Sequence, residues 1–142
     1  MKNLIVGIDP GKNTAIAFYD KQLKKIIDVR STDFWGCYQI FVGHNEEAEL
    51  LSLDNPIKKV IIEVPRTKKN WHKEGCDITS ANVGMIYDQS HLLAEGIERL
   101  GYKVLRQHPQ GKVDAAYIKK LTGWKKRTSQ HARDAIMLCW GF

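Results

Sequence analysis

Asp9, Glu63, His131 and Asp134 are the residues whose types and settings suit acid–base or metal chemistry. Asp9 closes the apolar run Leu4-Ile5-Val6-Gly7-Ile8 and is followed at once by Pro10-Gly11. Glu63 closes a second run, Val60-Ile61-Ile62, and is followed by Val64-Pro65. A charge at the end of a buried strand is costly unless it is paired, hydrogen-bonded or bound to a cation. His131 and Asp134 lie three apart near the start of a helical pattern, so they share one face. Carboxylates with an imidazole form a hard, oxygen-rich donor set suited to Mg²⁺ or Mn²⁺. Beside basic clusters, such a set suggests two-metal phosphodiester hydrolysis. One ion generates and aims a hydroxide, and the other stabilises the leaving 3′ oxygen.

Each residue also has a plainer role open to it. Asp9 can cap the Pro-Gly turn through its own backbone. Glu63 can face water from an edge strand, given the proline that follows. His131 and Asp134 can form a local surface pair. The sharper reading requires the strands ending in Asp9 and Glu63 to be parallel neighbours, so that both carboxylates emerge on one edge. The N-terminal part of the last helix must then reach that edge.

The elements that would do this read β-β-β-α-β-α-β-α-α. Leu4–Ile8 is a strand buried on both faces, Thr14–Phe18 returns from the turn, and Leu23–Val29 continues a meander. Ser31, Thr32 and Asp33 are candidate caps for a helix beginning near Phe34, although Phe34–Val42 is ambiguous between helix and strand. Asn45 followed by EEAELLSL reads as a helix opening, ended by Asn55-Pro56. Lys59–Val64 is the second buried strand. Thr79 or Ser80 caps a long helix with Val83, Ile86, Tyr87, Ser90, Leu93, Ala94, Ile97 and Leu100 at helical spacing, stopped by Gly101.

Tyr102–Arg106 is a short strand, and strand-helix-strand order implies a crossover joining a parallel pair. Lys112–Leu121 reads as a helix ended by Gly123, with Val113, Ala116, Tyr117 and Leu121 on one side. Asp114 lies in its first turn and reads as a helix-dipole residue rather than a catalytic one. Ser129 caps the last helix, where Ala132, Ala135, Ile136 and Cys139 can pack inward. Residues 1–142 are expected to form one α/β domain around a mixed sheet.

Composition narrows the partners. The formal charge is +6 and the pI about 9.2, which makes an acidic partner such as nucleic acid plausible. Placement says more than the total. Arg66, Lys68, Lys69 and Lys73 surround Trp71 and His72 in a stretch with no apolar periodicity. Cations for phosphates and a ring for a base are what a loop touching nucleic acid needs. A solvated loop is the plainer reading. Lys119, Lys120, Lys125, Lys126 and Arg127 form a second basic cluster, for which a solvated charge run is the alternative. Cys37, Cys76 and Cys139 make no C-x-x-C pair, so neither a disulfide framework nor a zinc ribbon is indicated. No run approaches the roughly 20 apolar residues of a membrane span, and the N-terminus does not resemble a signal peptide. An intracellular protein is expected, with no membrane partner.

G-I-D-P-G at Gly7–Gly11, I-I-E at Ile61–Glu63 and H-A-R-D-A at His131–Ala135 resemble the RuvC Holliday junction resolvases, in a phage-type member. The resemblance covers nearly the whole chain in element order. It implies an RNase H-like fold and a homodimer packed partly through the long helix beginning near Ser80. It also implies paired nicking of symmetry-related strands of a four-way junction, in the cytoplasm (of the host, if phage-encoded), with no small-molecule substrate. Asp9, Glu63 and Asp134 match the family's metal-binding carboxylates, expected to hold two Mg²⁺ or Mn²⁺ ions. His131 falls where many members have Asp and some have His. It is therefore expected either as a ligand or as a base for the attacking water. Lys112 matches a basic residue used near the scissile phosphate. The loop after Glu63 matches the junction-probing loop. Its family aromatic, three residues past the Glu, is Arg66 here, which leaves Trp71 as the stacking candidate.

Three other readings follow from the same residues. A different RNase H-like nuclease would act on flaps or RNA-containing substrates. A non-catalytic module would bind branched DNA without cutting it. Asp9-Pro10-Gly11-Lys12 also resembles the phosphate hairpin of actin-like kinases, but those need two such domains and 142 residues hold one.

Overall fold

The computed structural model describes residues 2–66 and 77–142, the side chains of residues 77–83 excepted. The strands are β1 (Leu4–Asp9), β2 (Thr14–Asp20), β3 (Lys25–Thr32), β4 (Ile57–Glu63) and β5 (Val104–Gln107). The helices are α1 (Phe34–Leu50), α2 (Asp77–Arg99), α3 (Ala115–Thr122) and α4 (Gln130–Cys139). The strands form one mixed five-stranded sheet in the order β3-β2-β1-β4-β5. β1, β2 and β3 make the antiparallel meander, whereas β4 lies parallel to β1 and β5 parallel to β4. The β1–β4 register runs through Gly7↔Ile61 and Ile8↔Ile62, so Asp9 and Glu63 leave neighbouring strands at the same edge.

Strand parity assigns each side chain to a layer. Leu4, Val6 and Ile8 of β1 join Val60 and Ile62 of β4 on the face covered by Cys37 and Phe41 of α1 and Leu93, Ala94 and Ile97 of α2. The odd positions Ile5 and Ile61 face the other way, against Ala135, Ile136, Leu138 and Cys139 of α4 and Ile118 of α3. Asp9 and Glu63 continue that second set. They therefore point toward the layer that contains His131 and Asp134. Fully burying each of these aliphatic side chains is worth about 1.5–3 kcal/mol, so both layers are firmly held.

Three helices differ from the sequence expectation. α2 begins at Asp77, so Thr79 and Ser80 lie within it rather than capping it. α1 is continuous from Phe34 to Leu50, capped by Asp33, and no new helix opens at Asn45. Asn45 resembles a cap in isolation, but its side chain is used across the molecule. Its Nδ2 donates to the Leu100 carbonyl at 2.8 Å, and its Oδ1 accepts from Asn55 Nδ2 at 2.7 Å. α3 begins at Ala115 rather than Lys112, because Asp114 is its cap and accepts from the Tyr117 N–H at 2.8 Å. Lys112 stands before that helix, in residues 111–114, which belong to neither helix nor strand. The buried side chain of α3 is Ile118, while Tyr117 and Leu121 remain exposed. β3 also extends to Thr32, and β5 begins at Val104 and ends at Gln107. Among the described residues, no helix is long and apolar enough to cross a membrane.

Candidate metal centre

α4 is set so that its first turn overhangs the strand edge. Ser129 caps it by accepting from the Ala132 N–H at 3.1 Å. His131 then projects from the first turn and Asp134 from the next. His131 Nδ1 lies 2.8 Å from Asp9 Oδ2. A carboxylate can only accept, so the ring donates from Nδ1, which leaves Nε2 available. Asp9 and Asp134 are buried and His131 is exposed. One ligand atom from each of Asp9, His131 and Asp134 falls within a group spanning no more than 4.8 Å.

Glu63 faces the same place from β4. It is half-buried and shares a small cleft with Asp134. Burial pushes the Glu63 carboxyl up to about 7, and the negative charges of Asp9 and Asp134 push in the same direction. Burial also raises Asp9, with His131 and Lys112 opposing and Asp134 adding to the rise. These are carboxyls held close together with too little compensating charge. That is the electrostatic condition a divalent cation relieves.

The nearby protein cation is Lys112, whose Nζ donates to Asp134 Oδ2 at 2.5 Å; that bond, more than any other influence, raises the ammonium's own pKa. The other oxygen, Asp134 Oδ1, accepts from Gln130 Nε2 at 2.9 Å. The donor set thus fits a hard divalent ion: two buried carboxylates and an imidazole, with a third carboxyl beside them. Asp9, Glu63, His131 and Asp134 are the residues that would hold it.

Of the basic residues, Lys119, Lys125, Lys126 and Arg127 line a groove between α3 and the connection to α4, floored by Ile118 and Trp124. That connection runs directly into Ser129 and His131. Lys126 lies over the Trp124 ring, 5.5 Å from its centroid. Arg66 is exposed just beyond the Glu63 edge. Lys68, Lys69, Trp71, His72, Lys73 and Cys76 lie outside the described residues.

Sequence reasoning overlooked Gly7, Gln130 and Arg133. A glycine inside a β-branched strand is a sign of close backbone approach, and Gly7 carries that sign. Gln130 precedes Arg133 by three and Asp134 by four, the spacing of side chains that meet on a helix. Nothing local in the sequence says what Arg133 reaches beyond its own helix.

No family model matches this sequence, and no curated protein matches it. Solved structures do. One is Thermus thermophilus RuvC in complex with a Holliday junction substrate, with a TM-score of 0.58, 15% identity, and coverage of 97% of this chain and 90% of that one. Another is the Thermus thermophilus RuvC structure, with a TM-score of 0.52, 13% identity, and coverage of 96% and 91%. The chain has the RuvC-type, RNase H-like fold.

Proposed function

We propose that this chain is a metal-dependent endonuclease that resolves four-way DNA junctions as a homodimer. The observation that carries the reading is the meeting of Asp9, His131 and Asp134, with Glu63 beside them, at one rim of a RuvC-type sheet. The junction-bound RuvC among the structural neighbours supports the choice of substrate. A bound ion would supply an activated water and neutralise charge developing on the scissile phosphate. The chain's own residues do the rest. Asp9 holds His131 by its Nδ1–H, so that Nε2 is the ring nitrogen left for a ligand or a proton. Lys112 brings a positive charge to the rim on a side chain that is more than half exposed. The groove of Lys119, Lys125, Lys126 and Arg127 offers phosphate contacts beside the N-terminus of α4.

Homodimerisation is supported by α2. Met85 and Leu92, two turns apart on that helix, are 57% and 59% exposed, which leaves apolar surface on a helix otherwise packed on the sheet.

The deciding experiment is nicking of a mobile four-way junction in Mg²⁺ and in Mn²⁺, mapped to the nucleotide, with a Y-fork, duplex and RNA–DNA hybrid in parallel. Paired symmetric cuts in the junction are expected. Preferential cutting of the fork or hybrid would replace this reading with another RNase H-like nuclease. Tight junction binding without cutting in any metal would leave a binding module.

A further inference from the structure

Both oxygens of Asp134 are held by side chains whose placement leads back to one residue, Arg133. Its Nη2 donates to Gln130 Oε1 at 3.0 Å. That bond turns the Gln130 amide so that its Nε2 donates to Asp134 Oδ1. Its Nε donates to the Val113 carbonyl at 2.9 Å, next to the residue that supplies the ammonium on Asp134 Oδ2. Its Nη1 donates to the Thr128 carbonyl at 2.8 Å, fixing the chain just ahead of Ser129. Residues 111–114 belong to no regular element, so the Arg133 Nε–H on the Val113 carbonyl tethers a segment that no backbone ladder holds, while the two Nη groups of the same guanidinium hold Thr128 and Gln130.

We propose that Arg133 is a positioning residue: it clamps the Lys112 segment and the Gln130 amide onto α4, and so sets the orientation of Asp134 and the reach of Lys112. Arg133 need not touch metal or DNA to do this. The tether acts on the backbone at Val113, and the Lys112 side chain beyond it reaches Asp134 from that fixed point. An ion that takes Asp134 can therefore displace the ammonium without releasing the segment. The role of the clamp in catalysis rests on the nuclease reading above; its existence does not.

The test begins with the metal-free protein. Lys112 acetylation by an N-hydroxysuccinimide ester is followed by mass spectrometry in wild type, Arg133→Met and Arg133→Lys. Loss of the clamp frees the ammonium from Asp134, and labelling of Lys112 should rise about threefold or more in both variants, since a lysine cannot reproduce the fork. In junction nicking, Arg133→Met should slow the rate at saturating DNA by about 10-fold, with the junction Kd changed by less than about threefold. The same substitution should slow Lys112→Ala protein by clearly less than it slows wild type, because the two residues share one arm. If Arg133→Met fails to fold, Gln130→Leu removes the other arm alone and should reproduce the loss of rate without changing Lys112 labelling. Unchanged Lys112 labelling in a folded Arg133 variant, or normal nicking in both Arg133→Met and Gln130→Leu, overturns the clamp. A wild-type chain that cuts no branched DNA overturns the nuclease reading instead, and the labelling result still decides the clamp.

Discussion

The backbone carbonyl of Ala135 occupies the space that a side chain on Gly7 would need. A Cβ on Gly7 would lie 2.1 Å from that oxygen and 3.1 Å from Leu138 Cβ. Gly7 shares its strand face with Asp9, and Ala135 follows His131 by one helical turn. Contact at the one pair therefore sets the approach of the other, and the 2.8 Å bond between His131 and Asp9 depends on the lack of a methyl group at Gly7, two residues before Asp9 on β1 and against Ala135 of α4.

Gly7→Ala should accordingly lift α4 from the sheet. The cost is about 2 kcal/mol or more, at the upper part of the range for overpacked cores, because backbone rather than a flexible side chain is struck. Urea denaturation gives the stability. Nicking of a four-way junction should fall further than the stability loss explains, since the first turn of α4 is displaced from Asp9. A variant as stable and active as wild type would show that the helix does not depend on this contact.

Asp9→Asn and Glu63→Gln should each reduce nicking by about 10³-fold or more, since each removes a charge that would stabilise a bound cation. Junction binding in gel-shift or anisotropy assays should persist, because phosphate affinity comes from lysines and arginines elsewhere. Normal cutting by both variants would end the assignment of this rim as the active centre.

The sequence made β1 and β4 legible because consecutive β-branched residues ending in a carboxylate have few other uses. The convergence of Asp9 and Glu63 follows from their strands being parallel neighbours. α4 was legible from Ser129 and its apolar face. What was not legible depends on distant partners. Asn45 has the local character of a helix cap, yet Leu100 and Asn55 claim its side chain and α1 runs through it. Ile118 turns inward because the layer of Ala135, Ile136 and Leu138 covers it, and Arg133 finds Val113 across twenty residues. Chain pattern reports which side chains share a face, while tertiary packing decides which backbone groups they meet.

The raised carboxyl of Glu63 makes stability depend on pH with a definite sign. Its folded value is about 7, above the ordinary 4.5, so the native protein binds the proton more tightly than the unfolded chain does. The stability this contributes is complete below pH 4.5 and is lost as pH rises through about 7. Burial shifts Asp9 in the same direction. In metal-free buffer, the wild-type Tm should fall relative to Glu63→Gln between these limits, and added Mg²⁺ should recover it at pH 8. A difference between wild type and variant that does not change with pH would contradict the raised carboxyl.

Lys112→Ala should separate metal binding from catalysis. In the metal-free protein the ammonium neutralises Asp134, so an entering ion competes with it. Removing it should tighten Mn²⁺ binding by calorimetry severalfold, because a partly screened like charge near the site disappears. Nicking should nonetheless slow by about 10–10³-fold, the usual cost of losing one preorganised positive group near a developing charge. Weaker Mn²⁺ binding in the variant would mean that Lys112 organises Asp134 for the metal rather than competing with it.

His131 should govern which metal works best. An imidazole nitrogen suits Mn²⁺ better than Mg²⁺, whereas carboxylate oxygens serve both. Wild type is therefore expected to nick faster with Mn²⁺, and His131→Asp should narrow that ratio by raising the Mg²⁺ rate. The added carboxylate would also stand against buried Asp9, which loses its 2.8 Å donor. Metal-free His131→Asp should then melt lower than wild type and regain more in Mg²⁺, because the ion relieves a larger repulsion. Parallel rate and melting series in the two metals provide the check. If the Mn²⁺ to Mg²⁺ ratio is the same in both proteins, His131 is not a ligand, and its place beside Asp9 leaves it as a base or an orienting group.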